Sequence, residues 1–350
     1  MIPLRPRDLF DASFHRWITQ SVKISPLFLL GPLGSGAEDL AWAQIEQKKG
    51  SVLLRPTVGA STEEIVADLV AHIVHAIEPR GVDALDWSSP AARGANVELA
   101  RRYGPAASKA LEIAAGSDIG DWTLSEAMGL SAKRESLPPV AISIVNVHRV
   151  PTQLLWELRD LVNAGRATLV ATTHKEHVKR VFGAESAFYG NATIIEVPEV
   201  DPRMCEDRLR EPISPSDLQY LLLASRGRAG VIIEVLSYWE PGHTIQSAWA
   251  NAVSTRRHEA ENVLNLAAGV HAYAPRLLIA LARHQAPYGA IHDAPSQRVA
   301  RALAKLRDTD LIEQPAQRTW WIADPLLQDA LASHAKGASA ERHALRVGPG

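Results

Sequence analysis

Two hydrophobic rhythms divide the chain. Between Leu27 and Val197, short continuous apolar runs alternate with stretches of helical spacing. Leu27–Leu30, Ser51–Leu54, Val140–Val147, Ala167–Thr172 and Ala192–Val197 are too short for independent helices and lack polar alternation. They predict strands buried on both faces. Glu38–Gln47, Thr62–Ile77, the segment from Pro151 through Val162, and Glu176–Phe182 predict the intervening helices. In the second of these Ile65, Val66, Leu69, Val70, Ile73, Val74 and Ile77 share one side. Asn96–Ala114 and Leu124–Met128 carry weaker helical signals. Ahead of the first strand, residues 4–20 predict one amphipathic helix with Leu9, Phe10, Phe14 and Trp17 on its apolar side. Alternating strand and helix in this order predicts helices on both faces of a parallel sheet.

Beyond Asp201 the strand rhythm fades. Asp217–Ala224, Ala229–Trp239 and Ile245–Asn251 predict a small helical domain, although Val231–Val235 also fits a strand. Arg256–Ala268 leads onward to helices at Pro275–His284 and Ser296–Thr309, with Ser296 as a cap near Pro295. The stretch "LIEQPAQRTWWIAD" then predicts two short strands around a turn, followed by a helix at Pro325–Leu331. Helix, turn, helix and hairpin is the winged-helix order. The polar, glycine-containing segment from His334 to Gly350 reads as a loose tail.

Composition narrows the chemistry. The chain has 350 residues and a net charge of -2, so any attraction to nucleic acid must come from a local patch. Its single cysteine, Cys205, excludes an intrachain disulfide and argues against a thiolate metal cluster. No run approaches the length of a membrane span and the N-terminus lacks an apolar signal core. The expectation is a cytoplasmic protein with no membrane partner.

Candidate chemistry centres on "LFLLGPLGSGAEDL". A glycine-rich turn between a buried strand and a helix is the frame of a phosphate loop, in which backbone amides surround phosphate, a lysine reaches it and a hydroxyl holds magnesium. Gly31 and Gly36 have the required separation. The next two residues are Ala37 and Glu38, so the lysine is absent and the magnesium hydroxyl is a carboxylate. Hydrolysis also needs carboxylates after an apolar strand. "PVAISIVNVHRVP" offers Asn146 and Val147 there, with His148 and Arg149 beside them. "ATLVATTHK" ends in Thr172 and Thr173, fit either for a terminal phosphate or for capping the next helix. His174 and His177 lie three apart without a clear third ligand, and Asp39 is a lone carboxylate, so no metal set is predicted.

Taken together these segments resemble AAA-like P-loop ATPases of the STAND and archaeal-ATPase kind. "LFLLGPLGSGAE" resembles the phosphate loop, "AISIVNVHRVP" the strand that usually ends in Asp-Glu, and "ATLVATTHK" the following sensor strand. "FYGNATIIEVPEV" resembles the strand and turn leading to the lid, and "SRGRAGVIIEVL" a lid segment with a glycine-rich helix start. "WWIADPLLQDAL" resembles the end of the winged helix in the same ATPases. The resemblance implies an α/β fold, a P-loop NTPase-like parallel sheet with a helical lid and a C-terminal winged helix. Its domains fall at residues 1–200, 201–270 and 271–335, with a tail at 336–350. It implies ATP-dependent switching, a sensor arginine near Arg226 and Arg228, and a nucleotide site at Gly31, Ser35, Gly36 and Thr172. The substitutions at Ala37, Glu38, Asn146 and Val147 reduce that site to residual ATP or ADP binding and leave no catalytic residue.

The winged helix carries the remaining function. Val299, Ala302, Leu303 and Leu306 make an apolar side, while Arg298, Arg301 and Lys305 form a basic stripe. Arg298 and Arg301 are the candidates to face bases or phosphate in double-stranded DNA; Lys305, and Arg318 at the wing, are phosphate candidates. Trp320 and Trp321 point oppositely, one toward the core and one toward a partner or the lid. The reading is a non-catalytic ATPase-like scaffold that binds double-stranded DNA. The alternatives are a protein-docking subunit of a homo- or hetero-oligomeric complex, and an atypical ATP-dependent switch with a lysine supplied by Lys23 or a neighbouring subunit.

Overall fold

The computed structural model describes residues 4–22, 26–48, 51–56, 140–209, 213–240, 242–317 and 319–346. The helices expected at Thr62–Ile77, Asn96–Ala114 and Leu124–Met128 lie outside the described residues, as do Lys23 and Arg318. The chain forms two compact units. One contains Ala12–Gly31 and Ala37–Val197; the other contains the residues through Asp11, Pro32–Gly36 and the chain from Pro198 onward.

The first unit is an α/β layer structure. Its described elements are α1 (Ala12–Ser21), β1 (Leu27–Leu30), α2 (Ala37–Ala43), β2 (Ser51–Leu54), β3 (Val140–Ile144), α3 (Thr152–Asn163), β4 (Ala167–Thr173), α4 (Val178–Phe182) and β5 (Thr193–Glu196). The strands form a five-stranded sheet in the order β2-β3-β4-β1-β5, parallel throughout. Every residue of β1 and β3 is buried, as continuous apolar runs require when both faces are covered. Phe28 lies at the centre, with the Phe182 and Phe188 rings edge-on at 4.8 and 4.9 Å. Leu154, Leu155, Leu158 and Leu161 of α3 close one side of this core. In β1, flanked by β4 and β5, sequence order reverses direction across the sheet; the crevice at such a point is where open α/β sheets bind ligands.

Two local expectations change. The expected helix over residues 4–20 is broken at Phe10, which is extended at φ -108° and ψ 151°. Leu9 and Phe10 are buried in the second unit, whereas α1 buries Ile18 in the first and leaves Trp17 half exposed. One apolar stripe therefore serves two cores, and a continuous helix cannot satisfy both. The strand expected to reach Val147 stops at Ile144, because Asn146 takes a left-handed conformation at φ 54° and starts a 3-10 turn over Val147–Arg149. Asparagine tolerates that conformation better than β-branched neighbours.

The second unit is mainly helical. It comprises α5 (Pro202–Arg208), α6 (Pro215–Ala224), α7 (Ala229–Ser237), α8 (Ile245–Thr255), α9 (Arg257–Val270), α10 (Ala274–Ala282), α11 (Pro287–Ala290), α12 (Ser296–Asp308), β6 (Ile312–Ala316), β7 (Thr319–Ile322) and α13 (Pro325–Arg346). Asp201, Ser214 and Thr244 cap α5, α6 and α8 by accepting backbone N–H groups. The segment Val231–Val235 is helical, and its apolar residues pack with Ala229 along one buried side. Helices α10 to α12 and the antiparallel β6–β7 hairpin give the winged-helix order. Leu277, Leu278, Leu281, Val299, Leu303 and Leu306 share its core with Ile312 and Ile322 of the hairpin. Pro295, not Ser296, occupies the cap position of α12 and makes no side-chain cap. The tail expected from 336 is helical through Arg346, in keeping with the alanine, lysine, glutamate and arginine content of that stretch.

Candidate functional site

In the first unit the ends of β3 and β4 are tied to one another. Thr172 Oγ1 accepts the Asn146 N–H at 3.0 Å, and Thr173 Oγ1 pairs with His148 Nδ1 at 3.0 Å. Gly31 N–H donates to the Thr173 carbonyl at 3.1 Å. Both threonine hydroxyls thus brace the turn after β3; neither caps the following helix. Asn146 is buried and brings no charge, and Val147 is fully buried. Glu38 stands in the first turn of α2, 3.7 Å from Arg55 in a mostly exposed pair, and Asp39 beside it is half buried. Gly31 and Thr172 are therefore together, in a setting of neutral backbone and hydroxyl groups.

The glycine loop, Pro32–Gly36, is itself part of the second unit. Gly34 and Gly36 adopt φ 77° and 89°, a region that favours glycine. The Gly34 carbonyl accepts the Gly230 N–H at 2.8 Å, and Ser35 N–H donates to the Pro32 carbonyl at 3.0 Å. A Cβ on Gly230 would lie 2.8 Å from the Gly34 oxygen. One on Gly36 would lie 3.1 Å from Pro6 Cβ and 3.2 Å from Ala229 Cβ. Glycine at 230 is a close-approach residue: it lets the start of α7 rest directly on the loop. Ser35 is buried. The loop's glycines thus serve protein packing.

Arg228 is buried and Arg226 largely so, both in a polar cluster. Arg226 donates from Nη1 to Glu313 Oε1 at 3.2 Å and to the Ile322 carbonyl at 2.8 Å, and from Nη2 to Gln328 Oε1 at 2.7 Å. Its guanidinium lies 4.6 Å over the Trp321 ring. Arg228 donates to the Leu33 carbonyl at 3.1 Å, to the Ala323 carbonyl and to Glu313 Oε1. Burial first, and then the neighbouring Arg228 charge, lowers the Arg226 pKa. Trp320 packs against the winged-helix core while Trp321 covers Arg226. Nearby, Arg256 is gripped by Glu234 at 2.6 and 2.9 Å and by Glu259 at 2.5 Å; the Glu234 hydrogen bonds, ahead of all else, raise its pKa. The sequence signal that was missed is Glu313, an acidic residue directly after the buried Ile312 of β6.

On α12 the apolar side is buried as expected, and Arg298, Arg301 and Lys305 are exposed. Among the described residues, Arg298 and Arg301 have no ion-pair or hydrogen-bond partner for their side chains. Lys305 differs: Nζ donates to the Val270 carbonyl at 3.2 Å, at the C-terminus of α9, where a cation complements the helix dipole. Arg276 of α10 and Asp293, ahead of α12, form a two-bond fork at 3.0 Å for each bond. No helix among the described residues is long and apolar enough to cross a membrane.

No family model matches the chain, and no curated protein matches it in sequence. Among solved structures it is similar to the Walker-type ATPase of Pyrococcus abyssi, with 14% identity, a TM-score of 0.59, and 95% of this chain and 98% of that one covered. Orc1 of Aeropyrum pernix, solved in complex with DNA, aligns at 13% identity and TM-score 0.45 over 97% and 95% of the two chains. A STAND protein of Pyrococcus horikoshii with a tetratricopeptide repeat sensor aligns at 12% identity and TM-score 0.41 over 91% of this chain and 41% of that one. The first of these likenesses agrees with the strand order and the helical extension: the chain shares the fold of P-loop ATPases, at an identity that speaks for fold alone.

Proposed function

We propose that this protein is a non-catalytic scaffold of P-loop ATPase fold that engages double-stranded DNA through its winged helix. The observation that carries the DNA reading is the contrast among its arginines. Arg226, Arg228 and Arg256 are bound to carboxylates and carbonyls, whereas Arg298 and Arg301 stand exposed, without side-chain partners among the described residues, on the first half of α12. The N-terminal half of the second helix of such a motif is the part that reaches base edges. Lys305 is a weaker candidate than its place in the stripe implies, since its ammonium holds α9. The non-catalytic reading is supported by the missing lysine and carboxylates, by a glycine loop whose Gly34 carbonyl is occupied by α7, and by arginines engaged elsewhere.

Duplex DNA titration at several salt concentrations tests this. Wild type binds more weakly as salt rises; R298E/R301E loses at least tenfold in affinity, and its log–log salt slope becomes shallower by about 1–2. Absence of binding at low salt overturns the DNA reading, and retained binding in the double variant moves it off α12. Magnesium-dependent ATP turnover by purified wild type overturns the non-catalytic half.

A further inference from the structure

We propose that α12 selects a base sequence through Gln297 and Arg301, which recognise adenine and guanine in the major groove, while Arg298 holds the phosphate backbone beside them. This rests on the DNA reading above and adds which side chains choose the sequence. Val299, Ala302, Leu303 and Leu306 are buried in the winged-helix core and fix how α12 is turned about its own axis. At about 100° per residue, Gln297 lies within roughly 10° of the line pointing straight out from that core. Arg301 and Ala304 lie within roughly 30° of the same line, whereas Arg298 and Lys305 fall about 90° and 70° to one side. Exposure agrees: Gln297, Ala300 and Arg301 are exposed and Ala304 is half buried. These four follow at i, i+3, i+4 and i+7. A helix lying in the major groove reaches base edges with a row of that spacing.

The side chains of the row suit different bases. From Gln297, Nε2 can donate to adenine N7 while Oε1 accepts from the N6 amino group. The Arg301 guanidinium can donate two bonds to N7 and O6 of guanine. Ala300 and Ala304 bring only methyl groups, which let the helix lie close and can touch the C5 methyl of thymine. Among the described residues, the side chains of Gln297, Arg298 and Arg301 have no ion-pair or hydrogen-bond partner, so all three are available. Arg298 carries the same charge as Arg301 but stands on the flank, where a contact to phosphate positions the helix without reading sequence. Four residues of helix rise about 6 Å, close to two base-pair steps of about 3.4 Å. The adenine and the guanine are therefore neighbours or lie two steps apart.

The test selects duplexes with a randomised central segment on the full chain, then measures affinity for single-base variants of the recovered site by fluorescence anisotropy. Recovered sites carry an adenine and a guanine at that separation. R301A lowers the preference for guanine by about tenfold and leaves that for adenine, and Q297A does the reverse. Q297E moves the preference from adenine to cytosine, whose N4 amino group donates to a carboxylate. R298A weakens all sequences alike and makes the log–log salt slope shallower by about 1. Binding without base preference, or a preference that follows Arg298 instead of Gln297 and Arg301, overturns the inference and leaves the DNA reading standing. Absence of binding to any duplex overturns both.

Discussion

Glu313 supplies the charge that balances two arginines in the interior of the second unit. One of its carboxylate oxygens receives both Arg226 and Arg228, whose side chains are 18% and 5% exposed, and its own side chain is 15% exposed. Glu313→Gln keeps an acceptor of nearly the same shape and removes the charge. The guanidiniums keep their bonds to the Ile322, Ala323 and Leu33 carbonyls and to Gln328, so the loss is that of compensating charge. Breaking one side of a buried pair costs about 3–5 kcal/mol when nothing else compensates. The remaining acceptors and Asp324 reduce this, and we expect about 2–3 kcal/mol for Glu313→Gln and about 3–4 kcal/mol for Glu313→Ala. Two converging cations make the cycle informative. Arg226→Met alone relieves the repulsion from Arg228 that lowers the Arg226 pKa, so R226M in the Glu313→Gln background recovers part of the loss. The assay is urea unfolding followed by tryptophan fluorescence, which reports Trp321 beneath Arg226. A Glu313→Gln variant within about 0.5 kcal/mol of wild type refutes the reasoning, because that is the range of an ordinary surface substitution.

Other outcomes follow from single contacts. Ser143 Oγ is buried in β3 without a hydrogen-bond partner among the described residues, and Ser143→Ala stabilises the chain by about 1 kcal/mol in thermal or urea unfolding. Gly230→Ala places a methyl 2.8 Å from the Gly34 oxygen and loosens the glycine loop, read as faster hydrogen exchange at Ser35 and a stability loss of about 1–3 kcal/mol. Lys305→Ala changes DNA affinity by less than Arg298→Ala at the same salt, because its ammonium is held by Val270; an equal or larger loss contradicts the assignment. The Cys205 thiol is fully buried, and burial, then Glu206, pushes its pKa to about 11. It stays protonated from pH 7 to 9 in the native state and resists alkylation there, whereas denaturant exposes it to rapid labelling.

What the sequence could convey depended on whether the signal was local. Continuous apolar runs of four or five residues marked β1 and β3 because a doubly covered parallel strand tolerates little else. The apolar side of α12 was legible from spacing, and so was the basic stripe opposite it. Contacts across long sequence distances were not. Nothing local distinguishes Lys305 from Arg301 until Val270 supplies a carbonyl. Nothing local predicts that His148 stacks on His177, because only the β3–β4 register joins them. The helix expected over 4–20 failed for a related reason: its apolar residues follow one period but serve two cores, which a hydrophobic pattern cannot separate.

The segment "SRGRAG" shows how the same letters support opposite readings. Two arginines beside glycine before a lid helix invite a phosphate-sensing role, and, with no phosphate partner, a solvated turn. Both readings assume the guanidiniums face outward. Gly227, at φ 65°, and Arg226, at φ 55°, turn the chain so that both side chains enter the second unit, where Glu313 and a row of main-chain carbonyls receive them. Gly230 then permits the Gly34 carbonyl to reach the start of α7. Restoring lysine at Ala37 would therefore return one missing group while leaving the loop packed on α7 and the arginines engaged. Ala37→Lys alone is expected to yield no magnesium-dependent ATP hydrolysis above the untreated chain in a phosphate-release assay. Turnover gained by that single change would show that the arginine cluster and the loop packing are not the obstacles inferred from these contacts.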